Sequence, residues 1–332
     1  MKVTMKDIAR EANVSTATVS HVINGTKQIS EEKHKKIKAI INKYSYVPNS
    51  TAKNLRKNKT MTAGLVVSSF RDSFISQMVY GVEERAREHG YQILLVNTNE
   101  DRNYEEEVIS SLHARMVDGV ILSPTSSDID YLNKYTKNDF PTVLVNRYDP
   151  VAENTPKVTG DDYQTGLDAT LHLLNHGHKK IGVIYAVPNV STTNKRIRGY
   201  KDALKKYNLP FNENYLELGY ATVDGGGIAV KSLLEREEDI TAIFILNDLM
   251  TIGAISKLKE LMLKIPEDMA IIGFGDFASA SIIAPPVTNI ALPADTIGKT
   301  AFDALLNKIN NYEYMKHIEL PPSMVIRKSC GC

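Results

Sequence analysis

Asn13-Val14-Ser15-Thr16-Ala17-Thr18-Val19-Ser20-His21-Val22-Ile23-Asn24 reads as a turn followed by a short helix with two unlike faces. Ser15 is a natural N-cap, because its hydroxyl can accept from a backbone N–H that the helix leaves without a partner. Val19, Val22 and Ile23 form an apolar seam at helical spacing, and Thr16, Ala17, Ser20 and His21 make the other side small or polar. Upstream, Thr4-Met5-Lys6-Asp7 has the pattern of a capping box and starts a helix that turns Met5, Ile8, Ala9 and Ala12 inward. A helix, a tight turn and a second helix with an adaptable polar face is the layout that sets the second helix into a DNA major groove. Taken alone, the pair is more simply a solvated helical hairpin. Its surroundings reverse that preference.

Charge is the first of these. The 332-residue chain has a net charge of +1, yet residues 1–60 hold thirteen Lys and Arg against four Asp and Glu, an excess of nine. The remainder therefore carries −8. A basic module on an acidic body has the sign of a phosphate-binding head on a carrier. A solvated Lys-rich surface explains the charge but not its confinement to these helices. No run approaches the roughly 18 apolar residues of a membrane span, and Asp7 and Glu11 sit where a signal peptide needs an apolar core. A cytoplasmic, nucleoid-associated chain with no membrane contact is expected. The only cysteines, Cys330 and Cys332, fall in the last three residues and cannot staple a core. With no ligand-type residue beside them in sequence, they read as an exposed tail in a reduced compartment, with no metal.

Beyond the first two helices, Ser30-Glu31-Glu32 caps and charges the start of a third, and Ile37, Ile40, Ile41 and Tyr44 fall on one stripe at i, i+3, i+4, i+7. A three-helix head of residues 1–48 follows. Residues 49–60 form a linker in which Asn49 caps at most two helical turns, a marginal helix in water. Leu55 is its one large apolar residue. A plain linker needs no Leu, whereas a segment that folds only against DNA and a dimer mate would use Leu55 as a wedge between base steps.

From Gly64 the pattern alternates between strand and helix. Strands are expected at 64–68, 91–96, 119–122, 142–145, 181–185, 242–246, 269–273 and 323–327. Helices are expected at 73–89, 104–115, 163–175, 195–207, 227–236, 248–261 and 297–309. Continuous apolar strands with crossover helices mean parallel sheets covered on both faces. There are too many units for one sheet. Asp149–Asp161, with Pro150, Pro156 and Gly160, reads as a crossing between two lobes, and Ala291-Leu292-Pro293 as a second. The lobes are then 61–160 with 292–322, and 161–291 with 323–332. Such a clamshell holds ligand between the strand C-termini. Phe70 and Phe74, after the first strand, offer an aromatic wall there, although Phe74 is equally suited to core packing.

Along its whole length the chain resembles the LacI family of bacterial transcription repressors. The strongest match is Met5-Lys6-Asp7-Ile8-Ala9-Arg10-Glu11-Ala12 continuing through Asn24, followed by Tyr46-Val47-Pro48-Asn49 and Ala52. Val117-Asp118-Gly119, Gly177-His178, Arg196 with Gly199, Asn247-Asp248 and Ile272-Gly273-Phe274 then arrive in the family's order. The resemblance implies a small all-α helix-turn-helix domain, a hinge helix and a two-lobed α/β core of doubly wound parallel sheets, periplasmic-binding-protein-like (type I). It also implies a homodimer on near-palindromic operator DNA, with an effector in the cleft setting DNA affinity.

Carried over by residue, the resemblance places Thr16, Ala17, Ser20 and His21 against base edges and phosphates. Thr4, Lys6, Ser15, Thr18, Asn24, Asn49 and Ala52 complete the DNA-binding set, and Leu55 enters the central minor-groove step. Many members have Arg where this chain has His21, and a neutral imidazole reads a purine edge with fewer donors. In the cleft, Arg196 matches the ligand-clamping arginine, Asn247-Asp248 its polar partner, and Asn146-Arg147 a common Asp-Arg pair. Phe274 matches the strand-end aromatic. Where the family has an acidic residue next, this chain has Gly275 and then Asp276, which leaves the bound sugar open. Read without the family, Arg196 is as well placed for a surface ion pair, and Asn247-Asp248 for a helix N-cap.

Other signals carry less. His172 and His176 stand at i, i+4 with His178 close by, but no catalytic Glu follows the first and no further ligand is apparent. Gly273-Phe274-Gly275 resembles a dinucleotide turn, but Pro285-Pro286 cuts the following helix short. Asp224-Gly225-Gly226-Gly227 lacks the Lys-Ser/Thr of a phosphate loop and reads as a plain loop. No nucleophile-elbow sequence supports hydrolysis. The sequence thus points to a DNA-binding regulator, most simply a repressor, without cofactor and with a sugar or related metabolite as effector. It is a dimer rather than a tetramer, because no leucine heptad tail follows the last strand. A catabolite-control-type regulator with a protein co-signal, and a cytoplasmic binding protein or enzyme, are the alternatives.

Overall fold

The computed structural model describes residues 3–46, 59–136, 140–148, 155–236 and 239–332. It forms two compact units, Met1–Thr60 and Met61–Cys332.

Among the described residues the first unit has three helices, α1 (Met5–Ala12), α2 (Thr16–Asn24) and α3 (Glu31–Lys43). The Thr4/Asp7 box forms in full: the Thr4 backbone N–H donates to Asp7 Oδ2 at 3.0 Å, and the Asp7 N–H donates to Thr4 Oγ1 at 3.4 Å. Asn13 ends α1 in the left-handed region at φ 57°, and Ser15 accepts from the Thr18 N–H at 3.2 Å to start α2. Ile8, Ala9, Ala12, Val19, Val22, Ile37 and Ile40 close a small core. Two expectations for α3 are corrected. Ser30 makes no side-chain cap bond, so Glu31 and Glu32 alone complement the helix dipole, and Tyr44 lies at the exposed C-cap rather than on the stripe.

The second unit holds two six-stranded sheets with the same strand order. The first runs β11-β5-β4-β3-β1-β2 and the second β12-β10-β9-β8-β6-β7. The first sheet comprises β1 (Thr62–Val67), β2 (Gln92–Asn97), β3 (Gly119–Leu122), β4 (Thr142–Val145), β5 (Lys157–Gly160) and β11 (His317–Leu320). The second comprises β6 (Ile181–Tyr185), β7 (Leu216–Leu218), β8 (Ala242–Ile245), β9 (Ala270–Phe274), β10 (Thr288–Ala291) and β12 (Ser323–Val325). All pairings are parallel except β10 with β12. The helices are α4 (Ser73–Glu88), α5 (Arg102–Ala114), α6 (Asn133–Thr136), α7 (Asp162–Asn175), α8 (Ser191–Lys206), α9 (Val223–Arg236), α10 (Asp248–Glu260) and α11 (Ala294–Asn310). Asp72, Asp101, Asp161 and Asn247 cap α4, α5, α7 and α10 with side-chain oxygens.

Asp149–Asp161, read from sequence as a crossing, contains β5, a buried strand paired between β4 and β11. The chain leaves the first sheet only after Gly160, whose missing Cβ makes room for the Leu292 side chain of the return crossing. Gly225, Gly226 and Gly227, read as a loop, lie inside α9. Glycine is needed in this helix because α9 and α10 touch backbone to backbone: any Cβ at Gly226 would meet Met250, and any at Gly253 would meet Val223. Strand β2, expected to be buried, is an edge strand with Leu94 and Leu95 exposed. Among the described residues no helix is long and apolar enough to cross a membrane.

Candidate DNA-reading helix and effector cleft

On the head, Ser15, Thr16 and Ala17 are exposed and Thr18, Ser20 and His21 half-buried, on the side of α2 away from Val19 and Val22. Asn24 is the last residue of that helix. The Thr18 hydroxyl is already engaged with Ser15 Oγ at 2.9 Å, which makes it part of the cap. His21 Nδ1 lies 2.9 Å from Thr26 Oγ1, so the ring is oriented and its Nε2 edge is the one left to face a base. Thr4 and Lys6 are exposed at the start of α1. Asn49, Ala52 and Leu55 lie outside the described residues.

In the larger unit, the ends of strands from both sheets converge on one cleft with an empty volume of ≈ 680 Å³ including its open mouth. In a doubly wound sheet this is where loops at the strand C-termini diverge and side chains from several strands can meet. Ser68 and Ser69 follow β1, Asn146 and Arg147 follow β4, Leu246, Asn247 and Asp248 follow β8, and Phe274 ends β9. Asp72, Ser73 and Phe74 come from the start of α4, and Thr192, Thr193 and Arg196 from the first turns of α8. Glu100 completes one wall.

Arg196 is the centre of the cleft's electrostatics. Its side chain is 8% exposed and meets the 3% exposed Asp162 at 2.7 Å through both Nε and the Nη2 amine. Its Nη1 donates to the Leu246 carbonyl at 3.1 Å, and its guanidinium lies 3.6 Å from the Phe274 ring centroid. Three of the five N–H donors are thus engaged, leaving two for a ligand. Burial pushes the Asp162 carboxyl above its ordinary range, and the Arg196 charge opposes that. The backbone carbonyl of Arg196 rests against Gly166, where any Cβ would collide with it. The helix pair that carries Arg196 therefore sets its depth.

Opposite, Arg147 is held bidentately by Glu100 at 2.7 and 2.9 Å. Asn247 accepts from the Met250 N–H at 3.1 Å as the cap of α10. Asp248 reaches from the second lobe to accept the Ser73 N–H of the first at 2.8 Å. Tyr148 N–H to Ser191 Oγ at 3.1 Å and Ser127 Oγ to the Asn189 carbonyl at 2.9 Å are further bridges between the lobes. Two of the sequence-derived residues are elsewhere. Phe70 is exposed and does not line the cleft, and Asp276 is tied to Arg327 at 2.8 Å. Asp72, Ser73, Glu100, Thr192 and Thr193 were not singled out from sequence. The helix at 191–206 begins four residues before its first charged residue, Lys195, so its apolar-polar period hides the Ser-Thr-Thr turn.

Asp72 is pushed up to about 6 by burial, with the neighbouring Asp248 charge acting in the same direction and Arg147 and Arg196 against it. The folded state therefore holds this proton more tightly than the unfolded chain. The cost of the charged carboxylate is present above about pH 6 and fades as the pH falls through 6 toward the ordinary value of 3.8. Asp72→Asn, which keeps an oxygen for the Ile75 cap, is expected to raise Tm at about pH 8 and to match the parent at about pH 4. A pH-independent offset between the two melting curves would refute a burdened carboxylate.

A basic helix-turn-helix head followed by a two-lobed core with a polar interlobe cleft defines a DNA-binding regulator with a ligand-binding body. Residues 4–49 match the family described as bacterial regulatory proteins, lacI family. Residues 60–327 match periplasmic binding proteins and sugar binding domain of LacI family. The chain belongs to the lacI family of bacterial regulatory proteins. It is 32% identical to the HTH-type transcriptional repressor PurR of Aliivibrio salmonicida (strain LFI1238) over 98% of both chains. It is 33% identical to the repressor of the same name from Haemophilus influenzae (strain PittGG), again over 98% of each. Among solved structures, a transcriptional regulator CelR–cellobiose complex aligns at 29% identity and a TM-score of 0.76, covering 98% of this chain and 99% of that one. The Lac repressor dimer bound to operator and an anti-inducer shares the fold at a TM-score of 0.88 and 23% identity, over 99% of both chains.

Proposed function

We propose that this chain is a homodimeric repressor that reads a near-palindromic operator through α2, and that a small polyhydroxyl metabolite held between the lobes sets its operator affinity. The observation that carries the effector reading is the lining of the cleft. Carboxylates at Asp72 and Asp248, amides at Asn146 and Asn247 and the two remaining Arg196 donors surround one space. Alternating acceptors and donors suit ring hydroxyls, and Phe74, 5.8 Å from Phe274, supplies an apolar wall. Asp248 is already bonded to Ser73 across the lobes, so a ligand hydroxyl that takes over that carboxylate changes how the lobes are held. Homodimerisation is supported by the uncovered edge of the first sheet, where Leu94 and Leu95 are 40% and 42% exposed and Tyr80 on α4 is 59% exposed.

A second reading, a purine base as effector, draws on the similarity to repressors named PurR over 98% of the chain. One face of Phe274 is covered by Arg196, which leaves Phe74 as the ring for stacking a base. Calorimetric titration with mono- and disaccharides and with purine bases separates the two. A saccharide that binds with one site per chain, and binds more weakly to Asp248→Asn, is the expected outcome. Binding of a purine base instead, with no saccharide heat, would overturn the polyhydroxyl reading. Operator retention with and without the bound compound then gives the sign of the response.

A further inference from the structure

Cys332 is exposed, as the sequence suggests, but the tail is not without neighbouring ligand-type side chains, and Cys330 is not exposed. Cys330 is fully buried and packs into the core of the α/β unit. The residue before it fixes the tail: Ser329 Oγ donates to the Ile271 carbonyl at 2.7 Å and accepts the Thr288 N–H at 2.8 Å, while the Ser329 carbonyl accepts the Ile271 N–H at 2.7 Å. This brings both sulfurs to the C-terminal end of α7. There His172 and its neighbour one turn on, His176, stack with ring centroids 4.5 Å apart. Cys330 Sγ lies 3.3 Å from His172 Nε2 and 3.3 Å from Cys332 Sγ. Cys332 Sγ lies 3.4 Å from His172 Nε2 and 3.0 Å from His176 Nε2.

We propose that His172, Cys330 and Cys332, with His176 as the fourth ligand, form a structural site for a thiophilic divalent metal ion of the Zn²⁺ class. The donor atoms of the first three all lie within 4.8 Å of one another. With metal–sulfur bonds of about 2.3 Å and metal–nitrogen bonds of about 2.0–2.1 Å, a tetrahedral site has donor–donor edges of roughly 3.3–3.8 Å. Within the His172–Cys330–Cys332 cluster the three separations are 3.3–3.4 Å, at the short end of that range, while His176 Nε2 reaches Cys332 alone, at 3.0 Å, and completes the shell by turning toward the other two donors. The chemistry of the set agrees with the geometry. Two thiolates balance the ion's charge, and two neutral imidazoles complete a Cys₂His₂ shell with no coordination position left for water.

The outer contacts fit as well. His176 Nδ1 is 2.8 Å from the His172 carbonyl, which fixes the proton on Nδ1 and turns the Nε2 lone pair toward Cys332. Thr288 Oγ1 lies 3.1 Å from Cys330 Sγ and steadies the buried sulfur. Cys332 and His176 are exposed, so an ion can enter from solvent while Cys330 anchors the inner side. The sequence hid the site because its halves, His-x-x-x-His and Cys-x-Cys, stand more than 150 residues apart and meet only through the fold.

The test uses the full chain, reduced and freed of metal by a chelator, titrated with Co²⁺ alone and then with Zn²⁺. One Co²⁺ per chain is expected, with sulfur-to-cobalt charge-transfer absorption and the intense visible bands of a tetrahedral site. One equivalent of Zn²⁺ should bleach both. Cys332→Ser, an exposed substitution that leaves the buried anchor in place, is expected to weaken binding by at least about 100-fold, since losing even a group that merely supports a ligand costs about 10–100-fold. Zn²⁺ should raise the Tm of the parent and not of this variant. Absence of the charge-transfer band, equal affinity in Cys332→Ser, or a Cys330–Cys332 disulfide found by mass in the freshly reduced chain would each overturn the site.

Discussion

Operator affinity is expected to fall about 10³–10⁵-fold between 50 and 200 mM salt, as for proteins that neutralise six to ten phosphates. The head supports that number. Arg10, Lys35 and Lys43 are already paired with Asp7, Glu31 and Glu11. Lys6, Lys27, Lys33, Lys36 and Lys38 are exposed and have no carboxylate partner among the described residues. Two heads therefore offer ten such cations. A lysine that meets a phosphate in both heads contributes about 1.8 to the slope of log affinity against log salt, at about 0.9 per contact. Lys33→Ala should lower the slope by that amount and weaken all DNA sequences alike. His21→Ala should instead leave the slope unchanged and relax preference at one base pair per half-site, by about 1–3 kcal/mol for a well-made base contact. The measurement is a competition titration at several salt concentrations. Retention on DNA that ignores ionic strength would remove the phosphate-binding role of the head.

That prediction rests on features legible in the sequence, and the reason is physical. Capping boxes and apolar seams are local, so Thr4, Asp7, Ser15, Val19 and Val22 announce α1 and α2 within a dozen residues. The alternation of apolar strands with helices is likewise local and gives the two-lobed α/β core. What was missed has its cause in distant contacts. β5, β7, β10 and β11 are as short as β3, β4 and β8 but carry Lys157 and Thr159, Glu217, Thr288 and Asn289, and His317 and Glu319, so they do not show as apolar runs. Lys157 is a case in point: a lysine in sequence, it has its stem buried in β5 and its amine 5.0 Å from the Tyr148 ring centroid. The three glycines of α9 look like a loop until the Gly219 backbone is brought against Gly225 and the α10 backbone against Gly226.

The cleft shows the same division. Strand-end residues such as Asn146 and Asn247 could be named because the fold class says where strands end. Asp72 could not, since a helix-capping aspartate looks the same whether or not another carboxylate faces it across a lobe boundary. Asp276 illustrates the converse. It stands close to Phe274 in sequence, but the positive φ of Gly275, 84°, turns the chain, and Arg327 claims the carboxylate.

Arg196→Ala is expected to cost about 3–5 kcal/mol of stability, because it strands the buried Asp162 carboxylate without its guanidinium. The same change should abolish the effector's influence on operator affinity, and the two losses must be separated. Removing one partner of a buried pair is far more damaging than replacing both by neutral groups of similar volume, which is often close to neutral. The double variant Asp162→Asn with Arg196→Met should therefore recover most of the lost Tm, with the methionine continuing to pack against Phe274. It should remain deaf to the effector, since no substitute supplies the two planar donors left over from the Asp162 and Leu246 contacts. Arg196→Lys gives an intermediate case: the charge next to Asp162 survives, while the fork and the stacking on Phe274 do not. Melting curves measure the first effect, and operator retention with and without effector the second. A double variant that folds and still responds would show that Arg196 serves the packing of the second lobe alone, and that the ligand is gripped by Asp72, Asp248 and the strand-end amides.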